Sequence, residues 1–422
     1  MPDDIRIPDL ANPLLTDDQL AARAYADTLD IGLNSESILA EATVRTGLSD
    51  FGPEDFRVRL DLLCGEWRND PTLLKLGHLS LRNKLLQHAS SRLLITDVLR
   101  RHPEIHQVEI KEPIIVAGLP RSGTTHLVNL MAADSRLRAL PLWESYEPVP
   151  MVGEPTRING VDPRFQRCDD TWQVMKTMSP LLAAMHPMNP EHIHEELELM
   201  GPDFASYNYE WLSVSPDWRD HYYATDQTPH YEYMKTVLKI LTWQDGDTSG
   251  TSTRWVLKCP QHLEQLRVLG SVFPDATVAI THRDPVSVIQ SAVTMLAYGQ
   301  RMTRDPVDTF GLIQYWSDRV LHLLQACVQD RDVLPAERSI DVLFHEFMAD
   351  DISMVEKIYT RADLSLGEST RRELAAYMDA HPRGRDGRVV YDLRGDFGVD
   401  PAELRERFSF YFQRFPVREE VN

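Results

Sequence analysis

Apolar residues recur at helical spacing through the first part of the chain. They lie three and four positions apart in LTDDQLAARAYADTL, FRVRLDLLCGEWR and LRNKLLQHASSRLLITDVLRR, as on one face of an α-helix. Thr16, near the start of the first segment, suits an N-cap because its hydroxyl can accept a hydrogen bond from the first turn. The segments lack the alternation of strands, so the pattern predicts a helical region over residues 1–110.

The pattern changes at residue 112. Short β-branched or apolar runs begin there and recur along the chain at 112–120, 254–259, 276–283 and 339–346. Helical patterns such as QHLEQLRVLGSVF separate them. Strands that alternate with helices form parallel sheets with right-handed crossovers. The sequence therefore predicts an α/β fold over residues 111–422, a P-loop-type parallel sheet flanked by helices.

A long interval, residues 145–253, separates the first two predicted strands. It carries helical patterns and turn clusters such as SVSPDW and DGDTSGT. We expect a helical insertion that caps the carboxyl edge of the sheet, where ligands bind in such folds. Its large side chains suit either an apolar ligand pocket or the protein core, and they include Trp172, Met175, Met178, Met185, Met188, Tyr207, Tyr209 and Trp211.

Composition and charge narrow the class of protein. The chain has 422 residues and a formal net charge of −20, which argues against nucleic acid as a partner, because phosphate neutralisation needs dense Lys and Arg. The four cysteines show no metal-binding spacing, which is typical of reduced thiols. The acidic N-terminus is unlike a signal peptide, and no apolar run approaches the roughly 20 residues that span a bilayer. We expect a cytoplasmic protein without stable membrane insertion; a homo-oligomer remains open.

The segment GLPRSG (118–123) has the GxxxxG spacing of a phosphate loop, after a predicted strand and before a predicted helix. In triphosphate-hydrolysing loops a lysine follows the second glycine. Here Thr124 takes that position, Thr125 follows, and the cation lies inside the loop at Arg121. Three hydroxyl groups, those of Ser122, Thr124 and Thr125, and the fork-shaped guanidinium of Arg121 are suited to bind a compact dianion. Such a ligand needs neither the γ-phosphate lysine nor a metal ion.

The run Arg-Ser-Gly-Thr-Thr at 121–125 matches the 5′-phosphosulfate loop of one enzyme family in full. The chain resembles the sulfotransferases that use 3′-phosphoadenosine 5′-phosphosulfate (PAPS), especially their actinobacterial branch and the tyrosylprotein sulfotransferases. The resemblance covers about residues 112–420 and implies PAPS as donor and adenosine 3′,5′-bisphosphate (PAP) as product. It implies that the donor contacts Pro120, Arg121, Ser122, Gly123, Thr124, Thr125 and His126. His126 departs from the Trp or Leu that relatives have at this position.

A second anion-binding motif lies in ITHRDPVSVIQSAV (280–293). The family holds the donor's 3′-phosphate with an Arg at a strand end and a Ser eight residues later, and Arg283 and Ser291 match this spacing. The basic segment HPRGRDGRVVYDL offers Arg385, and second Arg383, for the loop that closes over this phosphate in relatives; a solvated basic loop is the alternative. His345 stands where relatives often have a Tyr that helps hold the adenine.

Sulfuryl transfer requires cationic stabilisation of the transferring group and a base for the acceptor hydroxyl. By resemblance, Lys258 in WVLKCP is the strand-end lysine that contacts the transferring sulfate; a surface charge is the alternative. Glu144, 23 residues past Arg121, is the first candidate for the base, as in tyrosylprotein relatives. The second candidate is the cluster HPMNPEHIHEELE, which holds His186, His192, His194, Glu195 and Glu196. Its HEEL lacks the HExxH spacing of zinc peptidases.

These observations predict a PAPS-dependent sulfotransferase that acts on a hydroxyl group of a small acceptor, expected to be apolar, such as a lipid, sterol or phenol. Two alternatives stay open. One is a P-loop nucleotide kinase or triphosphatase, which the GxxxxG spacing alone would allow. The other is a catalytically silent nucleotide-binding module.

Overall fold

The N-terminal region is helical in the computed structural model, which describes residues 4–383 and 387–421. Its elements are β1 (Asp4–Ile5), α1 (Asp17–Asp27), α2 (Ser35–Thr46), α3 (Phe56–Asn69) and α4 (Lys75–Arg101). Thr16 caps α1 as expected: its hydroxyl accepts from the Gln19 N–H at 3.3 Å, and the Gln19 side chain accepts from the Thr16 N–H at 3.0 Å. This reciprocal pair satisfies two otherwise unpaired backbone donors.

The predicted strands form one four-stranded sheet. They are β2 (Ile114–Gly118), β3 (Val256–Cys259), β4 (Thr277–His282) and β5 (Ser339–Leu343). All pairs are parallel, in the order β3-β2-β4-β5. β2 therefore lies between β3, which carries Lys258 near its end, and β4, which directly precedes Arg283. A second parallel pair joins β1 to β6 (Arg388–Val389).

Helices cover both faces of the sheet, as the buried strand pattern predicts. Near it lie α5 (Thr124–Ala132), α13 (Leu266–Val272), α14 (Pro285–Gln300), α15 (Thr309–Asp330), α16 (Phe344–Ala349), α17 (Asp351–Arg361) and α18 (Glu368–Ala380). Alternate residues of β2 enter two different cores. Ile114 and Val116 pack with α5 and α17, whereas Ile115 and Ala117 join the core that contains α14 and α15. The last helices are α19 (Leu393–Phe397), α20 (Pro401–Glu406) and α21 (Ser409–Arg414).

The predicted insertion is helical and shares a core with the N-terminal helices. It holds the end of α6 (Leu142–Tyr146), α7 (Pro163–Met178), α8 (Pro180–Met185), α9 (Leu197–Met200), α10 (Asn208–Leu212), α11 (Pro216–Ala224) and α12 (Thr228–Gln244). Phe204 and Trp218 pack among buried residues of α2, α3 and α4. Asp203 of the insertion accepts from Arg59 and Arg92 at 3.0 and 2.9 Å. The N-terminal helices are thus packed into the fold rather than appended to it.

Two expectations about the whole chain concern its cysteines and membrane segments. All four cysteines are free and buried, and burial raises the pKa of the Cys64 and Cys168 thiols to about 12. Within the described parts of the chain, no helix is both long and apolar enough to cross a membrane.

Candidate active site

A large cavity opens at the carboxyl edge of the sheet. Its volume is about 940 Å³, and it is bordered by the loop after β2, by α14 and α16, by the insertion and by Lys84 of α4. This is the edge at which parallel α/β sheets bind ligands. Its wall includes most of the predicted donor-binding residues, namely Pro120, Arg121, Gly123, Thr124, Thr125, His126, Arg283, Ser291 and Arg383.

The loop after β2 depends on glycine at two positions. A Cβ atom at Gly118 would lie 1.9 Å from the Thr281 hydroxyl on the neighbouring strand, so only glycine allows this approach. Gly123 has a φ of 86° immediately before α5, a conformation that disfavours side chains. The loop then leads directly into a helix N-terminus, where free N–H groups and the helix dipole favour an anion.

Ser122 differs from expectation. Its side chain is 1% exposed and does not line the cavity. The hydroxyl donates to the Leu119 carbonyl at 2.5 Å and lies 2.7 Å from the Thr281 hydroxyl. Ser122 therefore holds the loop against β4, whereas Thr124 and Thr125 border the cavity.

The two predicted anion-binding segments meet in this single cavity. Arg121, with an uncommon φ of 65°, donates from Nε to the Ser291 hydroxyl at 3.0 Å. Arg283 donates from Nη1 to the Arg121 carbonyl at 2.6 Å. The Ser291 hydroxyl also lies 2.8 Å from that of Tyr391. A ligand in the cavity can thus contact both segments at once.

Lys258 occupies the end of β3, beside the loop. Its side chain is 1% exposed, donates to the Thr125 hydroxyl at 3.3 Å and forms an ion pair with Glu195. Burial raises the pKa of the Glu195 carboxyl above its usual value, and the ammonium of Lys258 opposes this shift. Glu196 braces the strand end, because it accepts from the Lys258 N–H at 2.8 Å and contacts the His262 ring at 2.7 Å.

Three histidines of the insertion line the cavity near Lys258: His186, His192 and His194. The His186 ring lies 5.9 Å from that of His194 and 6.4 Å from that of His192. Burial lowers the pKa of His186 well below its usual value and that of His194 to about 3. Both rings are therefore neutral near pH 7. No group of residues suited to hold a metal ion occurs within residues 4–383 and 387–421.

Two further predicted residues lie outside the cavity wall. Glu144 accepts from Arg138 at 2.5 Å, and Arg138 also pairs with Asp245. Glu144 therefore has a cation of its own and does not line the cavity, which argues against it as the base. His345 also does not line the cavity; its neighbour Phe344 does.

His126 and Arg383 line the cavity and share one carboxylate partner. His126 lies 2.9 Å from Asp351, which also pairs with Arg383. Arg383 donates to the Met348 carbonyl at 2.9 Å. Arg385 lies outside the described residues.

A polar cluster at another part of the cavity wall has no signal in the sequence. Lys84 of α4 donates to Glu198 at 2.9 Å and lies 4.1 Å from the centroid of the Tyr146 ring. Asn208 donates to the other oxygen of Glu198 at 2.7 Å. Trp211 and Met188 also line the cavity, in keeping with the pocket interpretation. By contrast, Tyr207 and Tyr209 belong to the core with no exposed surface.

The parallel sheet, its covering helices and the glycine loop define an α/β protein with a loop and a helix N-terminus at the sheet edge that are suited to an anion. The chain belongs to the sulfotransferase family, whose family model matches residues 113–368, more than half of the chain. This confirms the expected family and fold. No curated protein sequence matches significantly.

Two solved structures are similar over nearly the whole chain. Sulfotransferase STF1 from Mycobacterium tuberculosis is 26% identical with a TM-score of 0.77, and the match covers 90% of this chain and 100% of that one. Sulfotransferase STF9 from Mycobacterium avium is 24% identical with a TM-score of 0.81, covering 93% and 100%. The second likeness shows the fold alone. Both matches extend beyond the region of the family model and so include parts of the N-terminal helices or the C-terminal segment.

Proposed function

We propose that this sulfotransferase moves the sulfuryl group of PAPS to a hydroxyl group of a small acceptor. The observation that carries the proposal is the hydrogen bond between Arg121 and Ser291. It joins the loop suited to a 5′-phosphosulfate and the segment suited to a 3′-phosphate within one cavity. A triphosphate site needs neither a second anion site beside the loop nor an arginine within it.

The donor would lie along the loop with its charged ends on separate cations. The N-terminus of α5, the hydroxyls of Thr124 and Thr125 and the Arg121 guanidinium supply donors for the 5′ end. Arg283 and Ser291 supply them for the 3′ end. Phe344 lies against the Arg283 guanidinium, 4.0 Å from ring centroid to carbon, and borders the space left for the nucleoside.

Lys258 and Glu195 form the proposed reaction centre. As the acceptor oxygen bonds to sulfur, the bond from sulfur to the 5′-phosphate oxygen breaks and the phosphate keeps the electron pair. Lys258, beside Thr125, stabilises the charge that develops there. Glu195 receives the proton of the acceptor hydroxyl, a role helped by its raised pKa. When the donor binds, Lys258 pairs with the sulfate in place of Glu195, and the Glu195 carboxylate becomes free to accept a proton.

His186 is the alternative base, because it is neutral and borders the same cavity. Glu195→Gln and His186→Asn separate the two assignments. We expect the glutamate variant to lower kcat by about 10²- to 10⁴-fold and the histidine variant to lower it much less. The reverse order would assign the proton to His186.

The acceptor would lie between Lys258 and the polar cluster of Lys84, Glu198 and Asn208. Trp211 and Met188 supply apolar wall, which fits a phenol, sterol or other lipid-like alcohol. The charges of Lys84 and Glu198 offset one another, so this end favours a neutral hydrogen-bonding group. The acceptor class is therefore a largely apolar alcohol with a second, uncharged polar group.

Two measurements test the proposal. Calorimetry compares PAP with ATP and Mg²⁺; tighter binding of ATP would favour a nucleotide kinase. Transfer of labelled sulfate from PAPS is then measured on phenols, sterols and hydroxylated lipids. Binding of PAP without transfer to any acceptor would favour a silent nucleotide-binding module.

A further inference from the structure

The carboxylate of Glu420 forms an ion pair with Arg283, the cation of the proposed 3′-phosphate site. Glu420 accepts from Arg283 in a bidentate pair, with 2.8 Å from Nε and 2.7 Å from Nη2. The hydroxyl of Ser287, one helical turn before Ser291, donates to the same carboxylate at 3.3 Å. An anion held by an arginine fork and a serine hydroxyl is the arrangement expected for a bound phosphate.

The chain segment that carries Glu420 contacts both sequence neighbours of Arg283, His282 and Asp284. Phe415 stacks on His282, with ring centroids 3.9 Å apart, and His282 directly precedes Arg283. Asp284, which directly follows Arg283, accepts from the Glu420 N–H at 2.8 Å. Arg405 contacts both Asp284, at 3.3 Å, and the Val421 carbonyl. The main chain thus holds the Glu420 side chain at the guanidinium, at a high effective concentration.

Another donor of Arg283 is already in use, and an aromatic ring covers one face of its guanidinium. Nη1 donates to the Arg121 carbonyl, and the guanidinium plane lies on the Phe344 ring. The bidentate edge is therefore the one on which a phosphate would bind, and Glu420 holds it. The Glu420 side chain is 29% exposed and that of Arg283 is 21% exposed, so the carboxylate can turn into solvent without moving its backbone.

We propose that Glu420 is a tethered competitor of the donor's 3′-phosphate, which binds Arg283 only after displacing it. The inference rests on the proposed function of Arg283. A dianionic phosphate displaces a monoanionic carboxylate because it offers more charge and more acceptor oxygens. When the product leaves, Glu420 returns to the guanidinium, so the arginine is never left without a partner. Glu420 thereby weakens PAP binding and speeds product release.

The experiment compares Glu420→Gln with the matched control Glu419→Gln. Both variants remove one negative charge from adjacent positions, but Glu419 lies 3.5 Å from Arg405 rather than on Arg283. Calorimetry is done with PAP and with adenosine 5′-monophosphate, which lacks the 3′-phosphate. A partly exposed ion pair limits the effect, so we expect Glu420→Gln to bind PAP about three- to tenfold more tightly. Adenosine 5′-monophosphate should bind all three proteins within about twofold.

Each result supports or overturns the inference. Unchanged or weaker PAP binding by Glu420→Gln overturns it, and so does an equal gain for both nucleotides, which would indicate a general charge effect. The gain for PAP should also vanish when Arg283→Ala is added, because the competitor then has no site to occupy. If the parent chain binds no PAP, the proposed function falls together with this inference; if it binds PAP and Glu420→Gln has no effect, only the inference falls.

Discussion

Replacing Lys258 by methionine should uncouple transfer from donor binding and expose the charge of Glu195. Methionine keeps most of the apolar stem of lysine but removes the ammonium. Because the lysine contact strengthens as the sulfuryl group moves, the variant should lose transfer while PAP affinity stays within about tenfold. The same substitution leaves the Glu195 carboxylate, 14% exposed, without its cation.

The structural cost of that orphaned carboxylate has an upper limit, because Glu195 can take up a proton. Protonating a glutamate costs about 1.36 kcal/mol for each unit by which the pH exceeds its ordinary pKa of about 4.3. At pH 7 the protonation of Glu195 therefore costs at most about 3.7 kcal/mol. Without Lys258, burial raises the folded-state pKa of Glu195 above its unfolded value, so stability is lost as pH rises. At pH 5 the loss should therefore shrink to about 1 kcal/mol.

Urea unfolding at pH 7 and pH 5 measures this difference, with Lys258→Met compared with the parent chain. Adding Glu195→Gln should remove the pH dependence. Lys111→Met is the control, because Lys111 forms an exposed pair with Glu109 and its loss should leave the free energy of unfolding unchanged. A deficit of equal size at both pH values would refute the assignment of Glu195 as the charge left behind.

Four further variants test other parts of the site. Arg283→Ala should weaken PAP binding by about 10- to 100-fold in calorimetry, since hydrogen bonds between charged groups contribute about 1.5–3 kcal/mol; an equal loss for adenosine 5′-monophosphate would contradict its role. Lys84→Met should raise KM for acceptors with a second polar group but leave PAP affinity unchanged, and an unchanged KM would remove it from the acceptor site. His194 has a folded-state pKa of about 3, below its unfolded value, so its contribution to stability is lost as pH falls below about 6.5; His194→Asn should flatten that acid limb in thermal unfolding, and an unaltered limb would exclude it as a source. Gly118→Ala should destabilise the fold by about 1–3 kcal/mol through overpacking against Thr281, which urea unfolding would detect, whereas full stability would mean that the strands can separate.

The strands could be predicted because burial on both faces leaves a continuous apolar run in the sequence. All four predicted runs contain a strand, but the run at 339–346 ends early: β5 stops at Leu343 and α16 begins at Phe344. Phe344 and Phe347 are three positions apart, and the fully buried Phe347 favours the helix. The strand order had no such signal, since it depends on long-range pairing. Nor did the pair of β1 and β6, which are two residues each.

The candidate site could be proposed from the sequence where it depends on a short motif. The loop at 118–125 and the spacing of Arg283 and Ser291 are local patterns, so both can be recognised in the sequence alone. Glu144 is a candidate by its distance along the chain, but that distance says nothing about the direction of its side chain. Glu144 pairs with Arg138 and does not line the cavity. Lys84 and Glu198 are 114 positions apart, and only tertiary packing brings them together.

The strand order also sets the distance between two cations of the candidate site. Neighbouring strands lie about 4.8 Å apart, so the ends of β3 and β4, with β2 between them, are separated by roughly 10 Å. The backbone positions of Lys258 and Arg283 are therefore held apart by the width of β2. Moving β2 to an outer position would leave every motif intact and yet bring these two cations together, and under the proposed function the site would then fit a shorter donor.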